Sequence, residues 1–388
     1  MVNFQYFNPV KIVFGEGSEK ELFRLLKEEK VTSLLMVYSG DFIKDLGIYS
    51  TVQSVCHDLK IDFHENGDVV PNPSVDLVRE LSSFGKKNKI DFVLAVGGGS
   101  AIDTAKSIAI GIPYEGDVWD FFSKDVKPSK AMPVGVITTL PASGSETSNC
   151  AILSNGDWKL GYEDDCIIPK FAIMNPSYTL KLPAFQTACG IADIFSHLLE
   201  RYFSDIKHTD VTDHLIEGAI KALLSNGIRL INNPEDLDAR AEIQWLASIA
   251  HNNLLDTGRV ADWGSHRIEH ELSAQYGITH GEGMAVVFVA WTKYAAEKKP
   301  WKLAQLATRV FGMDPYDFSE KERAMRLSTE LEKYFRFLKL RTSLSEFKID
   351  GQDFMTMADR ATKNGKNTVG HYIVLDKEKI LDILNLAR

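Results

Sequence analysis

Histidines and one aspartate stand at spacings that suit metal binding. Asp193 and His197 are four residues apart, His266 and His270 repeat that step, and His280 follows further along the chain. Residues four apart share one face of a helix, so their side chains converge there. A carboxylate and several imidazoles at one point suit a divalent metal. Either pair alone also suits a surface position or a satisfied core position, so only the complete set would identify a metal site.

The elements that must carry these residues differ between the two halves of the chain. The first half alternates short β-rich runs with helical stretches, which predicts a parallel sheet flanked by helices. The predicted strands include 31–38, 92–96 and 134–139. Beyond Pro183 apolar residues recur at helical spacing, which predicts an all-helical second half. Its long helices are predicted at 215–230, 239–255, 282–297 and 320–338.

A run of three glycines follows one predicted strand and precedes a predicted helix. Glycines let the backbone approach a phosphate, and the amides of a helix N-terminus bind the anion. A tight strand-to-helix turn alone would explain one or two glycines, but not three with a serine and an aspartate behind them. The pattern is not the strict GxGxxG, because Ile102 stands at the third glycine position. The candidate phosphate-binding residues are Gly97, Gly98, Gly99, Ser100 and Asp103.

A second loop follows the predicted strand at 134–139 and brings hydroxyls and amides to the same edge of the sheet. Its candidate cofactor-binding residues are Thr138, Thr139, Leu140, Ser143 and Ser148. After it, Asn155 and Gly156 predict a two-residue hairpin turn between strands at 151–154 and 158–162. The boundary between a dinucleotide-binding α/β domain (1–183) and an all-helical metal-binding domain (184–388) is expected within 175–183. The active site is expected in the cleft between the domains.

Composition limits the classes of partner. A length of 388 residues is enough for two domains, and the net charge of -9 argues against nucleic-acid binding. Four cysteines without CxxC spacing predict reduced thiols. No export signal and no apolar run long enough for a membrane span are evident, so a cytoplasmic protein without a membrane partner is expected.

Two motifs resemble those of the iron-containing (group III) alcohol dehydrogenases. The first runs from Asn175 to Glu200 as NPSYTLKLP-x4-A-x-G-x2-D-x3-H-x2-E, and the second from Asp262 to Gly281 as DWGSH-x3-HEL-x7-HG. The glycine run matches the family's GGGSxxDxxK segment, and the second loop its T-x-P-x-(S/T)-G-S-E segment. The resemblance covers nearly the whole chain. It is nearest to the branch of NAD(P)H-dependent butanol dehydrogenases and broad-range aldehyde reductases.

The resemblance implies a reaction and a metal. A dinucleotide would exchange hydride with a primary alcohol or aldehyde, such as butanol or butanal, while the metal acts as a Lewis acid. The implied metal ligands are Asp193, His197, His266 and His280, with Fe(II) favoured and Zn(II) possible. His270 shares the face of His266 and would be a fifth protein ligand. It is therefore the candidate catalytic residue, passing a proton to or from the substrate oxygen, or else a residue that orients a ligand.

The resemblance also implies further cofactor contacts. Asn72 matches an asparagine that faces the cofactor, and Lys159 matches a nearby lysine, although this hairpin is two residues shorter than in relatives. NAD-specific relatives carry an acidic residue where this chain has Gly40, between Ser39 and Asp41. That acidic residue would repel the extra phosphate of NADP, so NADP(H) is favoured over NAD(H). Asp41 leaves the alternative open, because a small shift of the turn would bring its carboxylate to the ribose.

The family resemblance suggests a homodimer, and an aromatic run near the N-terminus suits the contact. Phe4, Tyr6 and Phe7 precede a predicted strand at 11–14. Three alternatives stay open at the level of sequence. Two are enzymes of the same fold, a zinc glycerol-dehydrogenase-like enzyme and a dehydroquinate-synthase-like lyase, and the third is a non-catalytic nucleotide-binding protein.

Overall fold

The computed structural model describes residues 1–388. Eight strands are present: β1 Lys11–Phe14, β2 Ser33–Tyr38, β3 Asp62–Asn66, β4 Phe92–Gly97, β5 Val134–Thr138, β6 Cys150–Asn155, β7 Trp158–Glu163 and β8 Phe171–Met174. Fifteen α-helices are present: α1 Leu22–Glu28, α2 Phe42–Asp45, α3 Ile48–Leu59, α4 Val75–Lys87, α5 Gly99–Gly111, α6 Asp120–Ser123, α7 Ala184–Tyr202, α8 Asp210–Asn232, α9 Leu237–His251, α10 Gly264–Tyr276, α11 His280–Lys298, α12 Trp301–Arg309, α13 Glu320–Phe337, α14 Phe354–Ala361 and α15 Lys377–Leu386.

Six strands form one parallel sheet in the order β1-β8-β5-β4-β2-β3. From β2 the chain moves outward to β3, returns to β4 on the other side of β2, and then continues through β5 to β8. The order therefore reverses between β2 and β4. In open α/β sheets a ligand binds beside the carboxyl ends of the strands at such a reversal. In this sheet those ends are Tyr38 and Gly97, immediately before the Ser39–Gly40 turn and the glycine run.

Apolar side chains cover both faces of this sheet. One face packs against α4 and α5, with a core that includes Val93, Ala95 and Val136. The other face packs against α1 and α3, with a core that includes Leu34, Met36 and Leu94. Strands buried on both faces explain why their sequences are nearly continuous apolar runs. The parallel sheet predicted for the first half of the chain is thereby confirmed.

The hairpin β6–β7 is antiparallel, but its turn lies one residue further along than predicted. Asn155 pairs with Trp158, so Gly156 and Asp157 form the turn. Gly156 takes the left-handed conformation, with φ at 56°. Asn155 remains in the strand because the register of the hairpin places it opposite Trp158.

The chain divides into two compact units. One contains the six-stranded sheet and comprises Phe7–Leu182 and Ala247–Asn252, and the other comprises Met1–Tyr6, Pro183–Leu246 and Asn253–Arg388. The second unit is helical, as predicted, although one predicted helix is too long. Helix α9 ends at His251, and Asn253 beyond it has a left-handed φ of 66°. None of the fifteen α-helices combines the length and the apolar character that a membrane span requires.

Two helices form the centre of the helical unit. In α7 every residue from Ala188 to Tyr202 is buried, and in α11 every residue from Gly281 to Ala296 is buried except Lys293. Helices buried on all sides hold their side chains rigidly. Gly281 permits the close approach of α11 to α7, since a Cβ at Gly281 would collide with the carbonyl of Cys189. This contact lies one helical turn before Asp193 and brings the start of α11 to the middle of α7.

Candidate active site

One carboxylate and three imidazoles converge between α7, α10 and α11. Asp193 Oδ1 lies 3.4 Å from Nδ1 of His197 and 3.5 Å from Nε2 of His280. Asp193, His266 and His280 each offer a ligand atom, and these three atoms lie within 4.8 Å of one another. The ring of His197 lies 4.8 Å from that of His266 between centroids. The structure thus brings together the four residues that the family resemblance implied as ligands, three of them in one group of ligand atoms and His197 beside it. Their donor set suits Fe(II) or Zn(II).

Two buried glutamates stand behind these imidazoles. Glu200 Oε1 lies 2.9 Å from Nδ1 of His266, and Glu269 hydrogen-bonds Nδ1 of His280. A carboxylate at Nδ1 fixes the ring and leaves Nε2 to face a metal. Burial raises the pKa of Glu200 to about 7, although hydrogen bonds from the backbone N–H of His266 and Trp263 oppose the rise. Glu269 is held in turn by the hydroxyl of Ser273.

Sequence reasoning did not assign a role to either glutamate, although a signal was present. Asp193, His197 and Glu200 follow one another at steps of four and three residues, which places Glu200 on the same face of α7. Glu269 follows His266 by three residues on α10. Carboxylates at these offsets from predicted ligands are therefore candidates for orienting them.

His270 lies beside His280 and one helical turn after His266. Its ring is 5.8 Å from that of His280 between centroids, and it belongs with Glu269 and His280 to a second group of potential ligand atoms. Unlike Asp193, His197 and His266, His270 is only partly buried. The location suits either a proton carrier or a residue that supports a ligand.

The glycine run in the sheet unit forms a close-packed turn. β4 ends at Gly97, whose φ is 151°, and α5 begins at Gly99. A Cβ at Gly99 would lie only 2.6 Å from Oγ of Ser143, and a Cβ at Gly98 would lie 3.2 Å from Cβ of Leu140. The glycine turn (97–100) therefore packs directly against the side chains of Ser143 and Leu140 in the second loop (138–148). Because these glycines carry no side chains, a phosphate could approach the backbone amides of the turn.

The start of the second loop is fixed to the glycine turn by the sheet. Thr138 pairs with Gly97, and the N–H of Thr139 donates to the carbonyl of Gly97 at 3.0 Å. The hydroxyl of Thr138 is buried and has no hydrogen-bonding partner in the protein. A buried polar atom without a partner is costly, so its position at the carboxyl edge of the sheet fits a bound dinucleotide.

Asp103 and Ser148 bind other parts of the protein. Asp103 accepts hydrogen bonds from Oγ of Ser145 at 2.6 Å and from the N–H of Ile152 at 3.1 Å. Burial raises the pKa of Asp103, while the nearby charges of Lys106 and Lys159 lower it. Ser148 accepts two hydrogen bonds from Nζ of Lys106, at 2.8 Å through its carbonyl and 3.2 Å through its hydroxyl. Lys106 also binds Oγ of Ser145 at 3.0 Å and the carbonyl of Cys150 at 2.8 Å.

The remaining predicted cofactor residues lie at turns and strands of the same unit. Ser39 forms an isolated antiparallel β-bridge with Asp68, and Gly40 has a left-handed backbone with φ at 75°. Asp41 is exposed and forms an ion pair with Lys44 at 2.7 Å. Two others are partly buried: Asn72, which has a φ of 58°, and Lys159, which lies on β7.

A doubly wound sheet with a glycine turn suited to a phosphate, together with a helical unit carrying one carboxylate and three imidazoles, is the arrangement expected of a nucleotide- and metal-dependent class of enzyme. Comparison with known families identifies the class more narrowly. The model of the iron-containing alcohol dehydrogenases matches residues 9–176, and that of the C-terminal part of the same family matches residues 187–387. The chain belongs to the iron-containing alcohol dehydrogenase family.

Individual relatives agree with this assignment over their full lengths. A probable NADH-dependent butanol dehydrogenase 1 of Bacillus subtilis is 36% identical over 389 residues, covering 100% of both chains. The NADPH-dependent aldehyde reductase YqhD of Escherichia coli is 31% identical over 384 residues, covering 97% of each. The crystal structure of NADH-dependent butanol dehydrogenase A from Thermotoga maritima matches with a TM-score of 0.94 at 34% identity, covering 99% of this chain and 98% of that one.

These matches confirm the family resemblance and the predicted fold class. The chain is an oxidoreductase of the alcohol dehydrogenase and aldehyde reductase type, and it uses a nicotinamide nucleotide and an iron-type metal. The matches to relatives decide against two of the alternatives, the dehydroquinate-synthase-like lyase and the non-catalytic nucleotide-binding protein.

Proposed function

We propose that the enzyme interconverts short primary alcohols, such as butanol, and their aldehydes, with NADP(H) as hydride carrier and Fe(II) at the four-residue cluster. The observation that carries the proposal is the convergence of Asp193, His197, His266 and His280, with glutamates behind two of the imidazoles. The names of the butanol dehydrogenases and of the aldehyde reductase support the substrate class.

The metal would be held by one carboxylate and three neutral imidazoles. When bound, such an ion supplies a Lewis acid that stabilises negative charge on the substrate oxygen. Glu200 and Glu269 keep two of the imidazoles in the tautomer that exposes Nε2. Burial of Asp193 and His197 excludes water from that side of the site. Zn(II) fits the same donors, and the family membership favours iron.

The dinucleotide would lie along the carboxyl edge of the sheet. When bound, its nicotinamide gives or accepts the hydride. The amides of Gly98, Gly99 and Ser100 would bind the pyrophosphate, and the second loop would provide the hydroxyls of Thr138, Thr139 and Ser143. Asn72, Lys159 and Leu140 would contact the cofactor from neighbouring turns and strands. Asp103 and Ser148 would act through the loop, because their polar atoms bind Ser145, Ile152 and Lys106.

Preference for NADP(H) rests on the turn after β2. Gly40 has no side chain at the position of the acidic residue of NAD-specific enzymes, and the carboxylate of Asp41 is engaged by Lys44. The turn therefore offers the amides of Ser39 and Gly40 to a 2′-phosphate, with a cation close by. The names of the relatives include both cofactors: the Bacillus enzyme is named NADH-dependent and the Escherichia enzyme NADPH-dependent.

His270 would exchange the proton that accompanies hydride transfer. Reduction of an aldehyde adds a hydride to the carbonyl carbon and a proton to the carbonyl oxygen, and an imidazole suits that proton transfer near neutral pH. Its partial exposure and its position beside His280 support this role.

Four cysteines without a disulfide support a reducing compartment such as the cytoplasm.

The test is a steady-state assay of aldehydes of two to six carbons with NADPH and with NADH, after anaerobic loading with Fe(II) or Zn(II). The expected result is aldehyde-dependent oxidation of the cofactor by the loaded protein and none by metal-free protein. His280→Ala, loaded in the same way, is the matched control. Equal activity of metal-free and loaded protein would contradict the proposal.

A further inference from the structure

Trp263 has a backbone conformation that a bulky residue rarely adopts. It stands just before α10 with φ at 61° and ψ at 7°, in the left-handed region. The other ten residues with positive φ, apart from glycines, are lysine, asparagine or histidine. A left-handed residue with a Cβ costs about 1–2 kcal/mol. Such strain persists only where neighbouring structure enforces it, and it concentrates at functional sites.

Hydrogen bonds on both sides of Trp263 enforce this conformation. The N–H of Trp263 donates to Oε2 of Glu200 at 2.7 Å. The preceding residue, Asp262, is completely buried, and its Oδ1 accepts from the N–H groups of His371 and Tyr372 at 2.8 and 2.6 Å. Its other oxygen accepts from the N–H of Gly264 at 3.2 Å. The turn is therefore fixed by two carboxylates.

The strained turn brings the indole ring into contact with a guanidinium group and two imidazoles. Arg201 lies over the indole, with its guanidinium carbon 4.7 Å from the ring centroid. The rings of His266 and His197 lie 5.1 and 6.0 Å from the indole between centroids, at interplanar angles of 70° and 67°. Arg201 is itself buried and bound to Asp256 at 2.9 Å. The indole thus packs against a fixed guanidinium group and meets both imidazoles edge to face.

We propose that Trp263 is a positioning residue of the metal centre, whose indole ring holds the imidazoles of His197 and His266 in the orientation that binds metal. The inference rests on the proposed metal site. Glu200 orients His266 through Nδ1 and also fixes the backbone of Trp263, so one carboxylate sets both the imidazole and the ring that packs against it. His197, for its part, lies against the same indole ring. The free-energy cost of the strained backbone is thus offset by the fixed orientation of two metal ligands, His266 and His197.

The experiment measures Co(II) binding to metal-free protein from the visible absorption of the bound ion. Trp263→Gly and Trp263→Asn both tolerate the left-handed backbone and remove the ring, and Trp263→Phe keeps an aromatic ring. We expect the two ring-free variants to bind Co(II) about 10–100-fold more weakly, with an altered absorption spectrum. Trp263→Phe should recover most of the affinity. Trp263→Asn provides the same test if Trp263→Gly does not fold.

Lys339→Gly is the matched control for backbone strain. Lys339 is also left-handed, with φ at 66°, but it is exposed and follows α13. The Lys339→Gly variant should bind Co(II) like the wild type. Wild-type affinity in Trp263→Gly or Trp263→Asn would overturn the positioning role and leave the metal site intact. Absence of Co(II) binding by the wild type, or equal binding by His280→Ala, would instead overturn the metal site itself.

Discussion

Glu200 accepts hydrogen bonds from both the backbone and the ring of His266, through the same oxygen and at 2.9 Å in each case. The ring and the start of its helix are therefore fixed by a single carboxylate. Glu200→Gln replaces one carboxylate oxygen by an amide NH2 group. With the remaining oxygen kept on His266, this NH2 group faces the backbone N–H of Trp263 and cannot accept its hydrogen bond. Loss of such an orienting partner typically costs about 10–100-fold in metal affinity or activity. We expect that loss, measured as metal content after dialysis against a chelator.

Glu269→Gln should produce a comparable loss of metal through His280. Glu332→Gln provides a control, because Glu332 lies on α13 and forms a surface ion pair with Lys293. Full metal content in both Glu200→Gln and Glu269→Gln would contradict the orienting role.

Removing a ligand should separate metal binding from dinucleotide binding. His280→Ala deletes an imidazole whose Nε2 lies 3.5 Å from Asp193, so we expect loss of metal and of turnover. Affinity for NADPH, measured by fluorescence titration, should stay within about threefold, because the proposed phosphate-binding residues belong to the sheet unit. Activity of a metal-free His280→Ala protein would be incompatible with the proposed site.

His270→Ala should behave differently from His280→Ala. The metal should remain bound, while kcat falls by about 10²–10⁴-fold if proton transfer is lost, and the pH profile should change. Metal analysis and pH–rate profiles measure the two effects. Stoichiometric loss of metal would instead identify His270 as a ligand.

Lys106 should affect cofactor binding without entering the chemistry. Its ammonium group joins α5 to the second loop through Ser145 and Ser148. In Lys106→Met these bonds are lost and the loop loses its support. We expect KM for NADPH to rise about tenfold, equivalent to about 1.4 kcal/mol, with kcat at saturating cofactor unchanged. The double variant Lys106→Met/Asp103→Asn controls for leaving Asp103 buried without its counter-charge.

The same lysine should give a pH signature in stability. Burial lowers the pKa of Lys106 from 10.5 to about 8, against the opposing charge of Asp103. Between these pH values the unfolded chain binds more protons than the folded one, so this group makes the free energy of unfolding rise with pH from about 8 to 10.5. Denaturant unfolding at pH 7.5 and 9.5 should show wild type gaining relative to Lys106→Met. A gap independent of pH would contradict the lowered pKa.

Gly40→Asp should weaken the preference for NADPH. A Cβ at Gly40 would lie 3.4 Å from the ring of Phe42, an ordinary contact, and aspartate tolerates the left-handed φ of 75°. The new carboxylate would repel a 2′-phosphate and accept ribose hydroxyls. We expect the ratio of kcat/KM for NADPH to that for NADH to fall at least about tenfold. Equal or better use of NADH by the unmodified enzyme would show that Asp41 reads the ribose.

The edge of the sheet should mediate a homodimer. β1 pairs only with β8, so it is an edge strand of the sheet. The aromatic side chains of Phe4, Tyr6 and Phe7, just before β1, are exposed. Replacing Phe4 and Phe7 together by serine should shift light scattering from dimer toward monomer, whereas Phe23→Ala on α1 should not. A monomeric wild type at assay concentration would refute the proposed dimer.

The sequence pattern predicted elements whose signals are local. The apolar run before Gly97 and the glycines after it specify a strand, a turn and a helix within about fifteen residues. The four-residue step from Asp193 to His197 specifies a shared helix face in the same way. The hairpin turn was displaced by one residue because its register depends on pairing along both strands.

The orienting glutamates and the conformation of Trp263 depend on packing between distant segments and were not predicted. Glu200 reaches His266 across 66 positions of sequence, and Asp262 reaches Tyr372 across 110. Nothing in the residues near Trp263 indicates a left-handed backbone, since tryptophan disfavours it. That conformation follows from carboxylates supplied by α7 and by the turn itself, which only the folded chain brings together.

The segment Ala247–Asn252 sets a condition on dividing this enzyme into fragments. It groups with the sheet although it lies more than seventy residues beyond the last strand, which ends at Met174. Within that unit, His251 binds the carbonyl of Ser143 at 2.6 Å, and Ser248 donates to Glu146 at 2.6 Å. A fragment ending near residue 182 would therefore lack the support of its own second loop. Engineers who wish to graft or exchange the nucleotide-binding half would have to carry these six residues with it, for example as a circular permutant.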